Sequence, residues 1–129
     1  MCAQLVSFED LDCWKAGREL RRWVSREFLP LLPPDEKYRL GDQITRAARS
    51  VTANLAEGFG RNHYLDNAKF CRNAMGSNCE VLDHAICAHD EGWISSDVLL
   101  LARARVNSTG KLINGYIAYL KRAAAAKEG

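Results

Sequence analysis

The run QITRAARSVTANLAEGFGR, Gln43 to Arg61, repeats its apolar residues at helical spacing. Ile44, Ala47, Ala48, Val51 and Leu55 recur three and four apart, which places them in one stripe along a helix. A second line runs beside it, made of Gln43, Ala47, Ser50, Asn54 and Glu57. Gly58 and Gly60 are expected to end the helix, because glycine accepts the left-handed geometry of a C-terminal cap. An amphipathic helix of this kind is stable only when its apolar stripe is packed against other elements.

Working outward, the flanking segments read as three more helices. Ser7, with Asp10 three residues on, resembles an N-cap with an acidic first turn. The helix it opens carries Leu11, Trp14, Leu20, Trp23, Val24 and Phe28 and is halted by Pro30, Pro33 and Pro34. Asp35 is the expected N-cap of the second helix. A third is expected to start around Tyr64 to Asp66 and to stop at Gly92, with Phe70, Ala74, Ser77, Val81, Ala85 and Ala88 inward. Ser95 or Ser96 caps the fourth, whose apolar residues are Val98, Leu101, Leu112, Ile113, Tyr116, Ile117 and Leu120. No strand-like alternation, repeat or linker occurs.

These patterns predict an all-α, antiparallel up-down-up-down four-helix bundle, with helices at about 9–29, 35–58, 65–91 and 96–125. The 129 residues are expected to form one domain with a buried core. Folding the first pair about the proline turn sets Gly17 near Ala47 and Trp23 near Gly41. Folding the last pair about Trp93 sets Gly76 near Gly110. Small residues at one level predict a narrow waist, at which Gly76→Leu is expected to lower the melting temperature by several degrees.

Charge narrows the function classes only slightly. Eighteen basic and 16 acidic residues give a net charge of +2, compatible with nucleic acid yet far from polybasic. Arginines outnumber lysines two to one, which suits phosphate recognition and ion pairing equally. Five cysteines form no CxxC pair. Cys71, Cys79 and Cys87 are eight apart on one helix, about 12 Å per step, beyond the roughly 7 Å a disulfide spans. A reducing cytoplasm is the expected compartment. The opening MCAQLVSFEDLD has no secretory pattern, and no apolar run approaches the ~18 residues of a membrane span.

Two blocks carry a family resemblance. Gln43-Ile44-x-Arg46-Ala47-x-x-Ser50-Val51-x-x-Asn54-Leu55-Ala56-Glu57-Gly58-x-x-Arg61 and Phe70-x-x-x-Ala74-x-Gly76-Ser77-x-x-Glu80-Val81, with the opening Phe8-Glu9-Asp10-Leu11, Trp14 and Ala16, resemble a known signature. It is that of the four-helix-bundle proteins encoded by intervening sequences within 23S ribosomal RNA genes. The resemblance implies a homo-oligomer, typically a pentamer, without known catalysis. A related branch, the accessory variability proteins of diversity-generating retroelements, associates with a reverse transcriptase and nucleic acid through a strongly basic surface. The present chain departs from that branch in its near-neutral charge, and has Thr45 where many relatives carry a second basic residue.

Among residues that carry chemistry, Lys15, Arg18, Arg22 and Arg26 follow a three-four-four spacing, with Arg21 close by. This basic edge is either an RNA-contacting face or a solvated surface balanced by Glu19 and Glu27. Arg39, Arg46 and Arg49 form a second stripe interrupted by Asp42. Arg46 is expected to pair with Glu80, and Asn54 and Glu57 to tie helix ends or neighbouring subunits. Cys79, Asp83, His84 and Cys87 fall short of a metal set: Glu80 and His84 are one residue too far apart for the bundle Glu-x-x-His motif, and no second copy exists. Buried cysteines and a surface histidine account for that cluster. Ser50 and Ser77 lack a histidine at a matching height, and Glu57-Gly58-Phe59-Gly60 follows a helix rather than the strand that a phosphate loop needs. The expected reading is a non-enzymatic module with no cofactor and no metal. Its partners would be further copies of itself, RNA or a reverse transcriptase.

Overall fold

The computed structural model describes residues 6–128, the last by its backbone alone; Met1–Leu5, the start of the stretch read above for a secretory pattern, lie outside the described residues. Four α-helices make up most of it: α1 Asp12–Trp23, α2 Leu40–Gly60, α3 Tyr64–Asp90 and α4 Ser96–Glu128. No strand occurs among the described residues. α1 touches α2 and α4, and α3 touches α2 and α4, so the four close into a bundle. Ser50 meets Ser77 while Gly58 faces Asn67. Asn67 meets Tyr116 while Asn78 meets Val106. Numbers that rise along one helix fall along its neighbour, as in antiparallel pairs.

The first helix begins and ends in ways that local chemistry explains. Ser7 caps a separate 3₁₀ turn, Phe8–Asp10, rather than α1 itself. Its Oγ accepts from Glu9 N–H at 3.1 Å, and Asp10 Oδ2 accepts from Ser7 N–H at 3.1 Å, forming a capping box. α1 then opens after an extended Leu11 with no side-chain cap. The backbone N–H groups of Ser7 and Val6 hold the Asp10 carboxyl below the usual carboxylate range. Toward its other end, Pro30 has no N–H to give Arg26 and its ring would press on that carbonyl. The helix therefore widens into a π-helical turn at Val24–Phe28, closed by Leu29 N–H on Val24 O, and then tightens into a 3₁₀ turn at Leu29–Leu31.

The second helix starts later than expected. Asp35 belongs to a 3₁₀ turn, Pro34–Tyr38, and the chain bends at Arg39 (φ −115°, ψ −93°) before α2 opens at Leu40. That extra turn moves the fold point of the first pair. A Cβ on Gly17 would lie 3.1 Å from Thr52 and 3.2 Å from Val51, more than one helical turn from the Ala47 expected there. Gly41 likewise lies under Leu29, Leu32 and Glu36 rather than Trp23. The C-terminal stop of α2 is also displaced. Its last helical residue is Gly60, and Asn62, at φ +57°, supplies the left-handed turn. Gly58 serves a different end: it lets α3 approach closely, since a Cβ there would meet Asn67 Oδ1 at 2.6 Å. The later turns agree with expectation, with Gly92 at φ +81° after α3 and Ser95 Oγ accepting from Val98 N–H at 3.2 Å.

Two stacked layers make up the core. Leu20, Trp23, Val24 and Phe28 of the first segment pack with Leu40, Ile44, Val81, Ala85, Ala102 and Val106. Leu11 and Cys13 pack with Val51, Leu55, Cys71, Ala74, Ile113, Ile117 and Leu120. Burying each large aliphatic side chain contributes about 1.5–3 kcal/mol. The predicted waist does not close at Gly76. That glycine is exposed with nothing within 4 Å of an added Cβ, so leucine is expected to be tolerated there. Its height opposite Gly110 is right, because Gly110 faces Met75 and Asn78, but its side of α3 points outward. On α4, Leu101 and Leu112 are exposed and the inward positions are Ala102, Val106, Thr109 and Ile113.

Cysteine placement corrects a second expectation. Cys79 and Cys87 are exposed, whereas Cys13 and Cys71 are buried, and all four are free thiols. Burial pushes Cys13 up to about 11 and Cys71 up to about 12. A thiol that resists ionisation in the fold binds its proton longer than in the unfolded chain, so stability is lost as pH rises from the unfolded thiol value toward the folded one. Stability measured by urea denaturation is expected to fall from about pH 9 to about pH 12. The Cys13→Ala/Cys71→Ala double variant should flatten that slope, and an equally steep fall in the variant would remove the thiols as its cause.

Candidate nucleic-acid interface

The basic edge of the first segment does not stand alone. Where the π-helical turn widens the chain, α1 and α2 part into a groove of about 260 Å³. Arg21, Arg22 and Arg26 line it from one side and Arg49 from the other, with the hydroxyl residues Ser25 and Thr45 between them. None of its lining residues carries a carboxylate. Arg21 is held in place: its Nη1 donates to Thr52 Oγ1 at 3.0 Å, across the helix pair. Arg22 is partly balanced by Glu19 at 3.3 Å. Arg26 and Arg49 are exposed. Planar guanidinium groups with neighbouring hydroxyls suit the oxygens of a phosphate diester.

Lys15 and Arg18 do not join this groove. They lie toward the start of α1, both exposed, with the Arg18 guanidinium 6.0 Å from the Trp14 ring. The structure thus brings together Arg21, Arg22 and Arg26, leaves Lys15 and Arg18 outside, and adds Arg49. Sequence reasoning sets Arg49 in a separate stripe because it fixes the α1–α2 register too early. Pairing Gly17 with Thr52 instead brings Arg49 opposite Arg21.

The signature residues gather elsewhere, in a shallow polar groove between α2 and α3 lined by Gln43, Arg46, Ala47, Ser50, Ser77, Glu80 and His84. Ser50 and Ser77 share a hydrogen bond of 2.8 Å across the helices. Asn54 Nδ2 donates to Ser50 O at 2.9 Å and to Ser50 Oγ at 3.0 Å. Glu57 pairs with Arg61 at 3.0 Å within α2, and the Arg61 guanidinium lies 4.9 Å from the Phe70 ring. The expected Arg46–Glu80 pair does not form, although both residues stand at one height. Arg46 turns to Asp42 at 3.1 Å on its own helix, and Glu80 lies 3.9 Å from His84. Arg46 and Asp42 are exposed, so water screens any gain from reaching across. Glu80→Ala is accordingly expected to change stability by less than about 0.5 kcal/mol; a loss of several kcal/mol on urea denaturation would reinstate a buried pair.

Among the described residues no three of His, Cys, Asp and Glu converge as metal ligands, and no helix is long and apolar enough to cross a membrane. The fold and groove define a small all-helical bundle with a basic cleft between its first two helices. The chain belongs to the 23S rRNA-intervening sequence protein family, whose model matches residues 9–115. None of the curated proteins compared with it matches.

Proposed function

We propose that this chain is a non-catalytic RNA-associated module in which the groove between α1 and α2 takes the phosphate backbone. One observation carries the reading: Arg21, Arg22, Arg26 and Arg49 surround a single groove whose lining includes two hydroxyl residues and no carboxylate. Membership of the 23S rRNA-intervening sequence protein family agrees with it. The module is a cytoplasmic homo-oligomer, a pentamer as the family resemblance implies. Leu100, Leu101 and Leu112 on α4, each more than a third exposed, offer apolar surface for assembly. α1 contributes little there, because Leu20, Trp23 and Val24 are buried in the core of its own bundle.

The test is the salt dependence of binding to single-stranded and duplex RNA. A phosphate-contacting groove gives a linear fall of log affinity with log salt concentration. Reversing Arg26 and Arg49 to glutamate should weaken binding by about tenfold or more at low salt. The slope should become shallower by about one for each phosphate no longer held. Unchanged affinity and slope would overturn the reading. A protein partner retained at high salt and released when Leu100 and Leu101 are made polar would favour the second role, that of an accessory subunit to a reverse transcriptase.

A further inference from the structure

A different cleft, at the far end of the bundle from the arginine groove, has the chemistry of a base-binding site. α4, with 33 residues, is longer than α3, with 27. Its last turns face the connection between α2 and α3 and enclose a cleft of about 550 Å³. That volume is within the range of small-ligand sites. The α4 wall, from Tyr116 onward, lies past residue 115, where the family match ends.

Aromatic rings dominate the lining. Tyr64, Tyr116, Tyr119 and Phe59 all face this cleft, so three of the chain's four tyrosines meet in one place. The Tyr116 and Tyr119 rings are nearly parallel, 12° apart with centroids 6.1 Å from each other. Tyr119 is 49% exposed and offers a ring surface to a further planar group. Polar groups stand at the edges. Asn67 Nδ2 donates to Tyr116 Oη at 2.9 Å, which leaves the Tyr116 hydroxyl free to donate in turn. Asn62 and His63 lie on the connection, and Lys127 brings an ammonium group to the cleft, 6.0 Å from the Tyr64 ring.

We propose that this cleft holds one unpaired nucleobase, stacked on Tyr119, its edge hydrogen-bonded by Tyr116 or Asn62 and its phosphate beside Lys127. A planar, edge-polar ligand with a single negative group matches rings, amide and ammonium together. An aliphatic peptide side chain would leave the Tyr116 hydroxyl without an acceptor. Bases within a duplex have their faces already covered, whereas unpaired bases are free to stack on aromatic side chains. The inference rests on the RNA reading only for the source of the base: a free mononucleotide or a single-stranded RNA presents the same chemistry.

Calorimetric titration of the full chain separates these sources. Adenosine 5′-monophosphate, ribose 5-phosphate, a short single-stranded oligoadenylate and the same oligomer with abasic residues are the probes. A base site binds the oligoadenylate more tightly than its abasic form. Tyr119→Ala should weaken oligoadenylate by about tenfold and abolish its advantage over the abasic form, while Tyr119→Phe retains both. Binding of the mononucleotide, but not of ribose 5-phosphate, shows that a free nucleotide also suffices; binding of the oligomer alone assigns the site to RNA. Equal affinity for oligoadenylate and its abasic form, or affinities indifferent to Tyr119→Ala, would overturn the proposal. Failure of the arginine groove reads differently: Arg26→Glu/Arg49→Glu would leave the salt slope intact while the Tyr119-dependent preference for a base persisted.

Discussion

Gly58→Ala is expected to lower the melting temperature by about 10 °C, corresponding to a loss of roughly 2–3 kcal/mol. Alanine is the better helix former by up to about 1 kcal/mol, so the sign comes from packing. A Cβ at this position would stand 2.6 Å from Asn67 Oδ1, 3.0 Å from Asn67 O and 3.0 Å from Phe70 Cβ. Two of those three atoms belong to backbone or to a Cβ and have no rotamer into which to escape. The third belongs to a side chain that donates to Tyr116 Oη at 2.9 Å and accepts from Cys71 Sγ at 3.5 Å. Relief therefore means pushing α2 and α3 apart or breaking a largely buried amide network, and an amide left unpaired costs about 1–3 kcal/mol by itself. Gly60→Ala is the control. Nothing lies within 4 Å of its added Cβ, so the same substitution two residues on should stabilise by roughly 0.5–1 kcal/mol. Thermal melts giving the two variants the same shift would show that α3 does not constrain Gly58.

The contrast between those glycines marks how far the sequence is legible. Hydrophobic period locates all four helices, and local turn chemistry gives the Gly92 stop and the Ser95 cap, because such signals act within a few residues of themselves. The Asp35 cap and the Gly58 stop fail because the true bounds of α2 are set by the longer connection before it and by the left-handed turn at Asn62. Gly58 and Gly60 look alike at that range. Only the position of Asn67, on another helix, makes one of them a contact and the other a surface residue. The same limit explains Gly76: its height opposite Gly110 follows from folding the chain about Trp93, but its direction around the α3 axis depends on the face that α2 and α4 cover between them. Leu101 and Leu112 escape sequence reasoning for this reason too, since apolar character alone does not distinguish an inward position from an exposed one.

At the arginine groove, an error of one turn decides what is visible. The 3₁₀ turn Pro34–Tyr38 and the bend at Arg39 consume residues that a direct hairpin would leave in α2. Counting them as helix sets Gly17 against Ala47 and keeps Arg49 away from Arg21. The basic residues of α1 are legible from spacing, but the partner across the groove requires the true length of the connection. Arg46 and Glu80 illustrate the converse. Their height is correct, and the pair fails because Asp42, one turn away on the same helix, offers Arg46 a contact that needs no reach across the bundle.

Phe28→Ala is the second large effect expected, a loss of about 3–5 kcal/mol on urea denaturation. Phe28 is fully buried, with its ring centroid 5.8 Å from that of Trp23, in the layer that also holds Leu40, Ile44 and Ala102. Removing it leaves a void that those neighbours, on three different helices, fill only in part. Against a typical total of 5–15 kcal/mol, that is a large share of the fold's stability. Leu31→Ala, three residues away and 46% exposed, should cost a small fraction as much. The location adds a functional consequence. Phe28 belongs to the same π-helical turn, Val24–Phe28, that carries Ser25 and Arg26 to the groove. Loosening its anchor is therefore expected to weaken RNA binding even at temperatures where Phe28→Ala remains folded. Gly58→Ala lies at the opposite end of α2, beside the Asn67–Tyr116 pair of the aromatic cleft. It should leave affinity for duplex RNA, which offers that cleft no unpaired base, unchanged when compared well below its melting temperature. If both variants bind duplex RNA as the unsubstituted chain does, the turn does not position the guanidinium groups, and the groove's geometry is set by α2 alone.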